Sequence, residues 1–88
     1  MTCIYKITSP SGKIYIGQTR NFRHRLSVHK YDIKRSRTYL SASIKKYGFD
    51  SHKFEIIHEL PIDVDQSFLD TYEILYISAY AFKKMAIN

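Results

Sequence analysis

The tightest constraint on this chain is a turn. Ser9-Pro10-Ser11-Gly12 separates two alternating runs rich in β-formers, Thr2–Thr8 and Lys13–Gly17. Serine first, proline second and glycine fourth suit a type I turn, with Gly12 taking the left-handed conformation as a bulge. A loop of that kind pairs Ser9 with Lys13, Ile7 with Tyr15 and Tyr5 with Gly17. Opposed residues of an antiparallel pair share a face. Tyr5, Ile7, Lys13, Tyr15 and Gly17 are therefore expected to point one way, and Ile4, Ile14 and Ile16 the other way, into the core. A two- or four-residue loop would set the tyrosines on opposite faces. This turn puts two phenols together.

The chain's 88 residues allow one domain, 1–88, with a single modest core. At 44% hydrophobic and 25% charged residues it reads as globular rather than disordered. No apolar run approaches the roughly 18 residues needed to span a bilayer, and with an alternating strand pattern starting at once no signal peptide is expected. The single cysteine, Cys3, excludes an internal disulfide and a multi-thiolate zinc site. These features lead us to expect an intracellular, reducing setting: cytoplasm, nucleoid or nucleus.

The net charge of +6 conceals a division. Residues 1–46 hold eleven Lys/Arg against one acid, Asp32, while residues 47–88 hold three against seven. A half at +10 on so small a domain points to a polyanion, nucleic acid first. The duller alternative is a solvated basic face.

Further along, Asn21 suits the N-cap of a helix over roughly 22–33, with Phe22, Leu26, His29 and Ile33 in one apolar arc and Arg25 at its edge. Arg25 and His29 stand one turn apart. A cationic loop, 34–37, leads to a second helix over roughly 38–47 that ends at Gly48. Residues 53–59 alternate as a third strand, and Asp65 can cap a third helix. On that helix Phe68, Leu69, Tyr72, Leu75, Tyr76 and Ala79 form the expected apolar stripe, with Glu73 at its margin. The fold class expected is α+β: a small three-stranded antiparallel sheet flanked by helices, in the order β-β-α-α-β-α.

One candidate site follows, where the phenol face of the hairpin meets the Arg25/His29 edge of the first helix. It offers two hydroxyls, a guanidinium that forks onto phosphate oxygens and an imidazole that titrates near neutrality. Phosphodiester hydrolysis needs a proton acceptor for water, a donor for the leaving oxygen and positive charge for the phosphorane. Glu73 is the candidate ligand for one hydrated Mg²⁺, and no tight acidic cluster favours a protein-held pair of metals. Each residue also has a structural reading. Strand tyrosines are good β-formers, His29 sits on an apolar arc, Arg25 can snorkel, and Glu73 can be an exposed helix residue.

The stretch "IYKITSPSGKIYIG" resembles the signature of the GIY-YIG nuclease superfamily, with Cys3-Ile4-Tyr5 as its first triplet and Tyr15-Ile16-Gly17 as its second. The resemblance continues through Arg25, His29, the "KKYG" element at Lys45–Gly48, Glu73 in "YEILYI" and Asn88. It implies a domain that cleaves double-stranded DNA with one divalent ion, Mg²⁺ or Mn²⁺, to 5′-phosphate and 3′-hydroxyl ends. It implies that Glu73 binds the metal and Arg25 stabilises the pentavalent phosphorus. Tyr5 would be the base or a positioner for water, Tyr15 and His29 would orient or shuttle protons, and Asn88 would support the metal side. Gly17 belongs to the signature itself. Lys13 would assist at the phosphate, and Lys13 and Arg25 are expected to depress the phenol pKa. The remaining cations, Arg20, Arg23, Lys30, Lys34, Arg35, Arg37, Lys45 and Lys46, are expected along the DNA backbone. The segment "SASIKKYGFDSHKFEII" resembles the homing and phage-type branch. A separate targeting domain or a dimer partner is expected outside this chain. Two alternatives are a binding module that keeps the fold without cleaving and a repair-type nuclease. Cys3 departs from the family glycine, which matters if that position needs a positive φ.

Overall fold

The computed structural model describes residues 1–31 and 39–82; the side chains of His29, Tyr31, Tyr39, Ala81 and Phe82 lie outside that description. Strand β1 (Thr2–Thr8) is the centre of a three-stranded antiparallel sheet, between β2 (Ile14–Thr19) and β3 (Lys53–Leu60). Helices α1 (Phe22–Tyr31) and α2 (Tyr39–Tyr47) lie between β2 and β3 in sequence, and α3 (Gln66–Phe82) follows β3. The expected order and the antiparallel sheet are both found.

The turn closes as its residues require. Gly12 sits at φ +87°, its N–H donates to the Ser9 carbonyl at 2.9 Å, and the Ser9 N–H donates to the Lys13 carbonyl at 2.9 Å. Tyr5 accordingly faces Gly17 and Ile7 faces Tyr15. Asn21 caps α1 through its Oδ1, which accepts the His24 N–H at 3.0 Å. Gly48, at φ +89°, ends α2 and donates its N–H to the Ile44 carbonyl. A single 3₁₀ turn, Phe49–Ser51, follows; nothing in the sequence reading anticipates it.

Two expectations are corrected. Both faces of the sheet carry a core, not the Ile4, Ile14 and Ile16 face alone. Cys3, Tyr5, Ile7 and Tyr15 are buried with Leu40 and Ile44 of α2 and packed by Phe22 of α1. Ile4, Ile14 and Ile16 are buried with Leu69 of α3. The cause lies in β1, whose Cys3, Ile4, Tyr5 and Ile7 are apolar on both parities, so both faces need cover. The second correction concerns α3. Its packed side is Leu69, Tyr72, Tyr76, Ile77 and Tyr80, whereas Phe68 and Leu75 are each 58% exposed and Ala79 is exposed too. Positions 69, 73, 76 and 80 fall on one line of a helix, so half-buried Glu73 stands within the packed arc, not at its margin.

Candidate active site

Tyr5 reaches the site by crossing its neighbouring strand. A Cβ at position 17 would lie 2.5 Å from both Cζ and Oη of Tyr5, so the phenol rests directly on the glycine backbone. The positive-φ glycines are Gly12 and Gly48, so Gly17 provides space rather than a special conformation. Phe22 of α1 packs the same ring at a centroid distance of 5.8 Å.

Two opposite charges act on the Tyr5 hydroxyl. Burial pushes the phenol up to about 12, the Arg25 guanidinium pulls it down, and the Glu73 carboxylate and the Cys3 thiol push it up again. Arg25 from α1 and Glu73 from α3 thus converge electrostatically on one oxygen beside β2, an edge strand of the sheet. This corrects the expectation that cations depress the phenol. Arg25 acts in that direction, but desolvation outweighs it, and Lys13 is not among the charges acting there.

Glu73 is held by a residue the sequence reading missed. Gln18, whose parity on β2 is that of Ile14 and Ile16, donates from Nε2 to Glu73 Oε2 at 2.6 Å and to Asp70 Oδ1 at 2.7 Å. Gln66 Nε2 donates to Gln18 Oε1 and to Asp70 Oδ1, both at 2.8 Å. The Gln18 and Gln66 hydrogen bonds hold the Asp70 carboxyl below its usual range. The donor set here is oxygen only. Among the described residues no group of three or more His, Cys, Asp or Glu could cage a metal. That suits a hard cation that keeps most of its waters and completes its shell with substrate phosphate, bound through Glu73.

Tyr15 occupies the other end of the same buried cluster. It hydrogen-bonds Ser43 of α2, a contact that lowers its pKa against the larger upward push of burial. Ser43 Oγ lies 2.8 Å from Nε2 of buried His52, whose Nδ1 lies 2.8 Å from the Gly48 carbonyl oxygen. A pocket of about 240 Å³ opens beside this chain, lined by Ser11, Lys13, Tyr15, Ser43, Lys46 and Tyr47. Lys13 therefore stands with Tyr15, away from Tyr5.

The family model for the GIY-YIG catalytic domain matches residues 1–86. The chain belongs to the GIY-YIG family. No curated protein matches it in sequence. Two solved structures share its fold. A point mutant of the catalytic domain of intron endonuclease I-TevI superposes with a TM-score of 0.81 at 23% identity, covering 99% of this chain and 91% of that one. The catalytic domain of homing endonuclease I-TevI superposes with a TM-score of 0.80 at 22% identity, covering 100% of this chain and 99% of that one.

In this GIY-YIG nuclease domain the first glycine of the signature is replaced by Cys3, and the structure shows how the change fits. Cys3 lies inside β1, paired with Thr19 and Glu59, and is fully buried. Burial pushes its thiol up, against the lowering effect of the N-terminus, so Cys3 is a small packing group and not an activated nucleophile.

The cations divide. Arg23, Arg25 and Lys30 on α1 and Lys45 and Lys46 on α2 are exposed, with Lys30 over the Phe49 ring at 5.7 Å and Lys46 over the Tyr47 ring at 5.2 Å. Arg20 is engaged elsewhere: its guanidinium donates to the carbonyls of Ile62 at 3.2 Å and Val64 at 2.7 Å, tying the end of β2 to the loop before α3. The His29 side chain and residues Lys34, Arg35, Arg37 and Asn88 lie outside the described residues. Besides Gln18 and Asp70, the sequence reading missed Ser43 and His52. The one available signal was Gln18 directly following the Tyr-Ile-Gly triplet; lone Ser43 and His52 carried none.

Proposed function

We propose that this domain is a divalent-metal-dependent DNA endonuclease of the homing or mobile-element type, hydrolysing phosphodiesters to 5′-phosphate and 3′-hydroxyl ends. One observation supports it above the rest. A cation and a carboxylate on different helices both act on a phenol laid across a glycine at the sheet edge. Arg25 meets the non-bridging oxygens and offsets the charge of the phosphorane. Tyr5, raised to about 12, is protonated at neutral pH, so it positions the attacking water by hydrogen bonding rather than serving as a standing base. Glu73, oriented by Gln18, holds Mg²⁺ or Mn²⁺, which when bound supplies positive charge beside the phosphate. Tyr15 and Lys13 contribute from the adjoining pocket. The family resemblance adds His29 for proton handling and Asn88 for the metal side.

Duplex DNA is the substrate in this reading, gripped by Arg23, Lys30, Lys45 and Lys46. A separate targeting domain or a second copy supplies site choice. The homing subtype is supported by the "SASIKKYGFDSHKFEII" segment and by the fold shared with I-TevI. Supercoiled plasmid nicking tests the reading. Mg²⁺ should support nicking and EDTA abolish it, and Arg25→Ala and Glu73→Ala should each slow it by roughly 10²–10³-fold. If the wild type binds DNA without nicking, the domain is a binding module; if both variants nick as fast as the wild type, the site assigned to Arg25 and Glu73 is not the catalytic one.

A further inference from the structure

Two side-chain amides meet two carboxylates where β2 passes α3, and their hydrogen bonds fix which way each amide points. Gln18 Nε2 gives one hydrogen to Glu73 Oε2 at 2.6 Å and the other to Asp70 Oδ1 at 2.7 Å. Gln66 Nε2 gives one to Gln18 Oε1 and the other to the same Asp70 oxygen, both at 2.8 Å. Gln66 Oε1 in turn accepts from the Arg20 guanidinium at 3.5 Å. An amide NH₂ has two hydrogens, so both amides are fully used as donors. Turning Gln18 over would set its carbonyl oxygen against two carboxylates and its nitrogen against another donor. Turning Gln66 over would set its nitrogen against the guanidinium and its oxygen against two acceptors. The ring of Gln18, Gln66 and Asp70 therefore presents a hydrogen, never an oxygen, to Glu73.

We propose that Asp70 and Gln66 are positioning residues for the metal-binding carboxylate: through Gln18 they hold Glu73 by Oε2 and keep its Oε1 for one divalent cation, while Asp70 itself is not a ligand. This rests on the reading above of Glu73 as the metal-binding group. Glu73 Oε2 is satisfied by Gln18, and Glu73 Oε1 has no hydrogen-bond partner among the described residues. Asp70 and Glu73 stand one helical turn apart on α3, where two like charges repel and would turn their side chains away from each other. The Gln18 NH₂ sits between them and ties both down. Asp70 Oδ1 already accepts two hydrogens, which suits an anchor for the amides. Gln66 and Asp70 are exposed, so neither is there to fill the core. Both lie behind Glu73 in the network, and partners of that kind govern how well a ligand holds its ion.

Mn²⁺ binding to the protein without DNA, followed by loss of the free-ion EPR signal, tests this without requiring cleavage. Glu73→Ala sets the background. Asp70→Ala and Gln66→Leu should each weaken Mn²⁺ binding by roughly 10- to 100-fold, with melting temperatures near wild type. Asp70→Asn keeps an acceptor oxygen and should restore binding to within about threefold of wild type, the remainder being one screened charge. In plasmid nicking the change should appear in the half-saturating Mg²⁺ concentration rather than in the rate at saturation. Asp70→Asn as weak as Asp70→Ala would make Asp70 a ligand and overturn the proposal. Asp70→Ala and Gln66→Leu binding as tightly as wild type would overturn it too. In either case a wild type that nicks leaves the nuclease reading intact. A wild type that binds Mn²⁺ without nicking removes the nuclease reading, and the affinity series still decides the proposal. A wild type that binds no better than Glu73→Ala overturns the proposal, because Glu73 then holds no cation.

Discussion

A missing side chain organises the site. Gly17 leaves the space that the Tyr5 ring fills, and an added methyl would lie 2.5 Å from the phenol oxygen and its carbon. The Tyr5 ring is buried and packed by Phe22, so it has little room to yield. Gly17→Ala should therefore displace the hydroxyl from Arg25 and Glu73. Nicking should fall by roughly 10- to 100-fold, from lost positioning, at a stability cost of about 1–3 kcal/mol from overpacking. Plasmid nicking and thermal melts check it; a wild-type rate from Gly17→Ala would mean that the phenol need not lie there. The pairing behind this was legible in the sequence, because loop length alone set Tyr5 opposite Gly17. The elevated Tyr5 pKa was not legible. It follows from the cover that α1 and α2 place over that face, and residue spacing encodes parity but not cover.

Among the elements, α3 shows where periodic reading fails. Its presence was plain, but Phe68, Leu69, Ile74, Leu75 and Ile77 spread apolar groups around most of its circumference. With so little contrast the 3.6-residue period does not select one face. Packing against Ile4, Ile14 and Ile16 does, through Leu69, which is 1% exposed. The same rotation carries Glu73 inward to Gln18. Leu69→Ala should cost about 2–5 kcal/mol in urea unfolding, whereas Leu75→Ala should stay within about 0.5 kcal/mol. Equal or reversed costs would mean that the helix packs by the stripe read from the sequence. The 3₁₀ turn after Gly48 was missed for the opposite reason. Phe49-Asp50-Ser51 carries no period at all, so nothing announced that it delivers His52 beneath α2.

At the scale of the whole molecule the charge division becomes spatial. The exposed cations of α1 and α2 cover one side of the sheet, while Asp70 and Glu73 belong to α3 on the other. Tyr5 and Gly17 sit at the boundary, so DNA approaching the cationic side meets the Glu73 carboxylate at the β2 edge. Composition revealed the excess of charge but not which cations serve DNA, because that depends on what each one already touches. Arg20 holds the Ile62 and Val64 carbonyls, whereas Arg23 and Lys45 point to solvent with no ion pair among the described residues. Duplex binding in Ca²⁺ or EDTA, measured across salt concentrations, separates these roles. Arg23→Ala and Lys45→Ala should each reduce the slope of log Kobs against log salt by about 1. Arg20→Ala should leave that slope in place and lower the melting temperature instead, since it frees two loop carbonyls from their donor. A slope change at Arg20 equal to that at Arg23 would mean that the guanidinium leaves its carbonyls to meet phosphate, and the loop before α3 would then belong to the DNA-binding surface.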